Sequence, residues 1–267
     1  MKMGFIGSGN MGGAIIGGIV NGKIAMPSDI IVSDKSNAAL AKINSEYGVE
    51  TTTDNTVVAR TADVLFLCVK PQFLYAVINE IKDSVSENTL IVSIVAGQDI
   101  ATITEAFGKN IKLIRVMPNT PALVGEGMAA LSPNENVTDE EKSVVLNVFN
   151  SFGKGEVVAE ELMDAVTAVS GSAPAYVFMF IEAMADAAVM GGMPRSQAYT
   201  FAAQAVLGSA KMVLETGKHP GELKDMVCSP AGTTIDAVSV LEKEGMRWSV
   251  IKAMAACMNK SKELGKK

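Results

Sequence analysis

Five mostly apolar, β-rich runs in the first half of the chain, spaced by stretches of helical length, restrict the fold more than any other feature. Met3-Gly4-Phe5-Ile6, Ile30-Ile31-Val32, residues 64–69, residues 90–95 and Lys112–Met117 lack the apolar–polar alternation of a half-exposed strand. Continuous runs of this kind belong to strands buried on both faces, as in a parallel sheet. Helical stretches lie between them at 11–20, Asn37–Tyr47 and 72–85. The alternation predicts an α/β fold whose N-terminal part is a Rossmann-like, doubly wound sheet.

The first run ends in Gly7-Ser8-Gly9-Asn10-Met11-Gly12. A G-x-G-x-x-G motif alone is weak, but between a strand and a helix at the head of a βαβ pattern it points to a dinucleotide. Gly7 permits the tight turn, Gly9 lets the backbone approach a pyrophosphate, and Gly12 lets the helix pack on the sheet. Ser8, Asn10 and Met11 fall along the same path. Asp34 follows the second run about 20 positions beyond Gly12, where an acid ordinarily binds the ribose of NAD. Ser33, Lys35, Ser36 and Asn37 crowd that corner with donors and one positive charge, as a 2′-phosphate requires. The two cues pull in opposite directions. Val69-Lys70-Pro71 and Asn119 lie at the carboxyl edge of the sheet, where open α/β folds bind ligands.

Beyond Glu161 the β runs stop. Pro174, Pro194 and Pro220 stand at helix starts, and Gly191-Gly192, Gly217 and Gly245 at helix stops, so the remainder is helical. The expected division is residues 1–161 for the dinucleotide half and 162–267 for a helical half. Several of its helices are apolar nearly all round, which calls for a second subunit to cover them. Glu182, Asp186 and glycines interrupt these stretches, so no membrane span is expected. In Ser229-Pro230-Ala231-Gly232-Thr233-Thr234, three hydroxyls precede a helix beginning near Ile235. Free N–H groups and the positive dipole end suit that turn to a substrate carboxylate.

A net charge of -6 and the lack of any Lys/Arg cluster longer than Lys266-Lys267 set nucleic acid aside. Glycines and Asn10 break the N-terminal apolar stretch, so no signal peptide is read there and a cytoplasmic protein is expected. Cys68, Cys228 and Cys257 are widely spaced, and the single histidine, His219, has no ligand neighbours. Neither a disulfide framework nor a metal site is suggested. His219, just before Pro220, suits a capping role.

Several segments together resemble the pyrroline-5-carboxylate reductase family. They include Gly4-Phe5-Ile6-Gly7-Ser8-Gly9-Asn10-Met11-Gly12, Val69-Lys70-Pro71-Gln72, Met117-Pro118-Asn119-Thr120-Pro121, Gly171-Ser172-Ala173-Pro174-Ala175-Tyr176 and Asp225-Met226-Val227-Cys228-Ser229-Pro230-Ala231-Gly232-Thr233-Thr234. The first is generic to Rossmann proteins, whereas the last is highly specific. The resemblance implies reduction of L-1-pyrroline-5-carboxylate to L-proline by NADPH, with NADH also accepted, in a homodimer or an assembly of dimers. It implies that the Ser229, Ala231, Gly232, Thr233, Thr234 loop binds the substrate carboxylate and that Thr234 faces the ring nitrogen. Asn55, Val69 and Lys70 match positions along the family's cofactor site. Ala173 and Ala231 depart from it, standing where the family usually has glycine. Two other readings compete: a Rossmann dehydrogenase of 3-hydroxy acids, which would need a lysine in the first interdomain helix, and a catalytically idle nucleotide-binding protein.

Overall fold

The computed structural model describes residues 1–265, so Lys266 and Lys267 lie outside the described residues. Two compact units emerge among the described residues: 1–172 with 257–265, and 173–256.

In the first unit the chain runs β1 (Met3–Ile6), α1 (Asn10–Asn21), β2 (Ile30–Ser33), α2 (Asn37–Tyr47), β3 (Glu50–Thr52), α3 (Asn55–Thr61), β4 (Val64–Leu67), α4 (Leu74–Ile81), β5 (Leu90–Ser93), α5 (Ile100–Phe107) and β6 (Lys112–Met117). It continues through β7 (Gly127–Pro133), α6 (Asp139–Asn150), β8 (Gly153–Val157) and the short α7 (Met163–Val166). The sheet order is β3-β2-β1-β4-β5-β6-β7-β8. β1 to β6 are all parallel, and β7 enters antiparallel to β6.

Helices cover both faces, which is why the strands read as unbroken apolar runs. Phe5, Val32, Phe66 and Val92 join Ile15, Ile16 and Ile19 of α1 in one core. Ile6, Ile31, Leu65, Leu67 and Ile91 join Val58, Leu74, Ile78 and Ile103 in the other.

The five predicted strands are present. Two are shorter than their apolar runs, because Cys68-Val69 and Ile94-Val95 continue past the ladder as loops. β3, β7 and β8 carried no such run. β3 is a three-residue strand at one end of the sheet order, β8 at the other end is Gly-Lys-Gly-Glu-Val, and β7 is Gly-Met-Ala-Ala-Leu-Ser-Pro, without a β-branched residue.

The second unit consists of α8 (Ala173–Met190), α9 (Arg195–Thr216), α10 (Pro220–Val227), α11 (Thr233–Lys243) and the first half of α12 (Met246–Gly265). Pro220 is the first residue of α10, and the His219 ring caps it by accepting the Gly221 N–H at 3.0 Å. Gly217 ends α9 in the left-handed region at φ +63°. Among its described residues only Ala185, Ala198 and Ala202 count as core. Phe178, Met179, Phe201 and Leu214 are each more than 60% exposed, at 64%, 69%, 66% and 66%. These helices have no interior of their own.

One helical run among the described residues, Glu160–Met190, is long and apolar enough by length and composition to cross a membrane. Glu182 and Asp186 interrupt only its second part, and the run extends back through a π turn at Thr167–Gly171.

Candidate active site

The carboxyl ends of three strands lie level. Ile6 pairs with Ser33 on one side and Leu67 on the other. Gly7, Asp34 and Cys68 therefore leave the sheet together, where the strand order turns from 3-2-1 to 4-5-6, the usual ligand position in such folds.

Gly7 sits at φ +101°, and a Cβ there would lie 2.6 Å from the Cys68 carbonyl oxygen. A Cβ at Gly12 would lie 2.5 Å from the Gly7 carbonyl oxygen. Both glycines are required by close backbone approach. Gly9 differs, since its Cβ would point into open space. It is also the N-cap of α1, with no side chain bonded across the helix start. The first-turn N–H groups at Asn10, Met11 and Gly12 thus meet an open side at the positive end of the helix, a fit for a pyrophosphate.

A cavity of about 260 Å³ opens beside this loop, lined by Gly7, Gly9, Asp34, Lys35, Val69 and Lys70 among others. Phe73 and Val77 form part of its wall, a contribution that the helical reading of 72–85 did not single out. Pro71 lies just past Lys70, opening the short turn Pro71–Phe73. Ser33 and Asn55 also line the cavity, but their polar groups are engaged with each other and with Glu80. The buried Ser33 hydroxyl donates to Asn55 Oδ1 at 2.7 Å, and Asn55 Nδ2 donates to Glu80 Oε2 at 2.9 Å. Of the donors read at the ribose corner, Lys35 lines the cavity, whereas Ser36 and Asn37 do not.

Asp34 accepts the Ser8 N–H at 2.8 Å and the Ser8 hydroxyl at 2.9 Å on Oδ2, and the Ser36 N–H at 2.9 Å on Oδ1. Burial is the largest influence on its carboxyl and raises its pKa. The Ser8 and Ser36 N–H groups, the Ser8 hydroxyl and the Lys35 N–H together outweigh it, holding the pKa below 3.8. Desolvation pushes the Cys68 thiol up, so it stays protonated beneath the loop.

In the second unit, Gly232 is the N-cap of α11, again with no side-chain cap, so Thr233 and Thr234 open the helix. The turn before it is closed by the Gly232 N–H donating to the Ser229 carbonyl at 3.1 Å. A Cβ at Gly232 would overlap Ser229 Oγ, which places that hydroxyl at the helix start. Ala231 adopts φ +54°, a left-handed conformation that L-residues avoid. Ala173, the other departure from the family pattern, is the first residue of α8 and carries no positive φ. Cys228 is the C-cap of α10, immediately before the loop.

Asn119 ties three segments together in the first unit. Its Oδ1 accepts the Met128 N–H at 2.8 Å, and its Nδ2 lies 3.3 Å from both the carbonyl and the hydroxyl of Ser170 in the π turn. Its position at the sheet edge was legible in the sequence; its bonding to Ser170, 51 residues on, was not.

Residues 160–264 match the family described as pyrroline-5-carboxylate reductase dimerisation, and residues 2–97 match that of NADP oxidoreductase, coenzyme F420-dependent. The pyrroline-5-carboxylate reductase of Escherichia coli (strain K12) is 54% identical over 265 residues, covering 99% of this chain and 98% of the relative.

The chain belongs to the pyrroline-5-carboxylate reductase family.

Solved structures agree. The pyrroline-5-carboxylate reductase of Coxiella burnetii superimposes with a TM-score of 0.94 at 37% identity, covering 100% of this chain and 99% of that one. The Plasmodium falciparum pyrroline carboxylate reductase, solved with NADP bound, gives 0.88 at 36% identity, covering 99% and 98%. The chain is thus an oxidoreductase of this family, with an NADP-type dinucleotide fold followed by a dimerisation domain.

Proposed function

We propose that this chain reduces L-1-pyrroline-5-carboxylate to L-proline, the last step of proline biosynthesis, with NADPH as preferred reductant and NADH as a second. The observation that carries the reading is the α11 start, where Ser229, Thr233 and Thr234 bring three hydroxyls to a helix end with no side-chain cap. Reduced nicotinamide, when bound, supplies the hydride.

Around it, Gly9 and the N–H groups of Asn10, Met11 and Gly12 hold the pyrophosphate, and Lys35 meets the 2′-phosphate. Val69, Lys70 and Pro71 border the remainder of the dinucleotide, and Asn55 fixes the wall behind Ser33. The substrate carboxylate lies against the N–H groups of Thr233 and Thr234, with the Ser229 hydroxyl beside it and Ala231 and Gly232 shaping the turn. The Thr234 hydroxyl donates to the ring nitrogen. That hydrogen bond draws electron density from the C=N bond and makes C5 the better hydride acceptor. As the hydride adds to C5, the π electrons pass to nitrogen, which takes up a proton from solvent water to become the amine.

The division of labour falls at 161–162, ahead of the boundary between the compact units at 172–173, with dinucleotide before and substrate and dimer after, in a cytoplasmic homodimer or an assembly of dimers. The exposed Phe178, Met179, Phe201 and Leu214 support the dimer. A 3-hydroxy-acid dehydrogenase is disfavoured because α8 contains no lysine.

The test is oxidation of NADPH and of NADH, followed by absorbance, with and without pyrroline-5-carboxylate, and identification of proline as product. Absence of substrate-dependent oxidation overturns the proposal. Sedimentation velocity at low micromolar protein checks the dimer, and a stable active monomer contradicts it.

A further inference from the structure

Asp34 stands where an acid ordinarily receives the ribose 2′-hydroxyl of NAD, yet it is already engaged from within the chain. Two of the donors come from one residue, Ser8, whose N–H and hydroxyl both reach Oδ2 at 2.8 and 2.9 Å. Ser8 lies between Gly7 and Gly9, so its hydroxyl is the side-chain donor that the tight part of the glycine loop itself supplies. The third donor, the Ser36 N–H, takes Oδ1 at 2.9 Å. Next to this half-buried carboxylate the Lys35 side chain is exposed and forms no ion pair among the described residues. The ribose corner therefore holds one tethered negative charge and one free positive charge.

We infer that Ser8 is a cofactor-specificity residue: it clasps the Asp34 carboxylate onto the glycine loop, withdrawing the acid that would select NADH and leaving Lys35 to meet a 2′-phosphate. The inference rests on the reading that the cavity beside Gly9 holds a reduced nicotinamide dinucleotide. Ser8 fills both acceptor sites of Oδ2, while the Ser36 N–H takes one of the two on Oδ1, so the clasped Asp34 keeps one site for a ribose hydroxyl and NADH remains a ligand. Without the Ser8 hydroxyl one charge-assisted bond is lost. The carboxylate then turns more readily toward the ribose corner, where it repels a 2′-phosphate and accepts from a 2′-hydroxyl.

Equilibrium binding of NADPH and NADH, measured by nicotinamide fluorescence on the intact protein without substrate, tests this. Ser8→Ala raises the ratio of the NADPH Kd to the NADH Kd by about 3- to 10-fold, and Ser8→Thr, which keeps the hydroxyl, returns the ratio to within about twofold of wild type. In an Asp34→Asn background the effect of Ser8→Ala on the ratio disappears, because the charge being restrained is gone. A parallel weakening of both cofactors in Ser8→Ala overturns the inference, as would arise if Ser8 only shaped the loop. So does a ratio shift that persists in Asp34→Asn. Wild-type protein that binds neither dinucleotide overturns the cofactor reading itself, and the inference falls with it.

Discussion

Arg115 Nη1 lies 3.0 Å from Glu160 Oε1, and the same oxygen accepts the Ile100 N–H at 2.8 Å. One carboxylate thus joins β6 to the start of α5 at the point where the chain turns toward its helical half. The Arg115 side chain is 11% exposed and the Glu160 side chain 31%, so the pair is desolvated mainly on the arginine side. Asp99, which caps α5 by accepting the Thr102 N–H at 2.8 Å, adds a second negative charge near the guanidinium.

Glu160→Gln keeps an acceptor for Ile100 but leaves Arg115 without its ionic partner. The expected loss is about 1.5–3 kcal/mol of unfolding free energy, the range for a hydrogen bond to a charged group. Thermal or urea denaturation at fixed protein concentration measures it. A change below about 0.5 kcal/mol, the scatter of ordinary surface substitutions, means the pair contributes nothing beyond its surroundings.

Thr234→Val preserves the shape of the side chain and removes its only donor. If Thr234 polarises the ring nitrogen, kcat/KM for pyrroline-5-carboxylate falls about ten- to a hundredfold, equivalent to roughly 1.5–3 kcal/mol of transition-state stabilisation. The Kd for NADPH stays at its wild-type value. Unchanged turnover in a folded variant removes Thr234 from the mechanism.

The glycine turn of the candidate dinucleotide site was legible because its parts lie close in sequence: strand, glycine turn and helix start are contiguous, and Gly7 and Gly12 are fixed by backbone contacts within that stretch and at Cys68. The state of Asp34 was not. Its carboxylate accepts from Ser8, 26 residues away, and no spacing rule states which way a side chain at a strand end turns. Ser33 shows the same limit, since a hydroxyl read as a ligand donor proves to be shared with Asn55 in the interior. The edge strands β3 and β8 were invisible because half-exposed edges do not need apolar runs. The excess of apolar helical faces was plain from sequence; which residues stay exposed in the single chain required the helices to be placed.

Ala231 and Ala173 separate two departures that look alike in sequence. At φ +54° an alanine is strained by about 1–2 kcal/mol, whereas glycine there costs about 0.5–1 kcal/mol more in lost chain entropy. Ala231→Gly is therefore expected to be neutral or stabilising by up to about 1.5 kcal/mol. Ala173→Gly, at a helical position, is expected to destabilise by about 0.5–1 kcal/mol. Urea midpoints at one fixed protomer concentration compare them, since dimerisation contributes to both. Destabilisation of equal size at the two positions contradicts the assignment of strain to Ala231.

Glu141 makes the stability of the first unit depend on acid pH. Its Oε2 accepts the Thr138 N–H at 2.9 Å, and the Thr138 hydroxyl accepts the Glu141 N–H at 3.2 Å, closing a capping box at the start of α6. Its Oε1 accepts from Lys112 Nζ at 2.7 Å, tying α6 to the first residue of β6. Burial raises the carboxyl pKa most, but Lys112 and Thr138 together outweigh it and hold the folded value below 4.5. A depressed folded pKa contributes stability that is fully present above the unfolded value near 4.5 and is lost as pH falls through the lower folded value. Glu141→Gln keeps the acceptor for Thr138 and removes the charge that titrates. The variant is expected to be less stable than wild type at neutral pH, and its unfolding free energy should decline less steeply below pH 4.5. Denaturation curves across that window measure both slopes, and parallel slopes would show that Glu141 does not carry this part of the acid sensitivity.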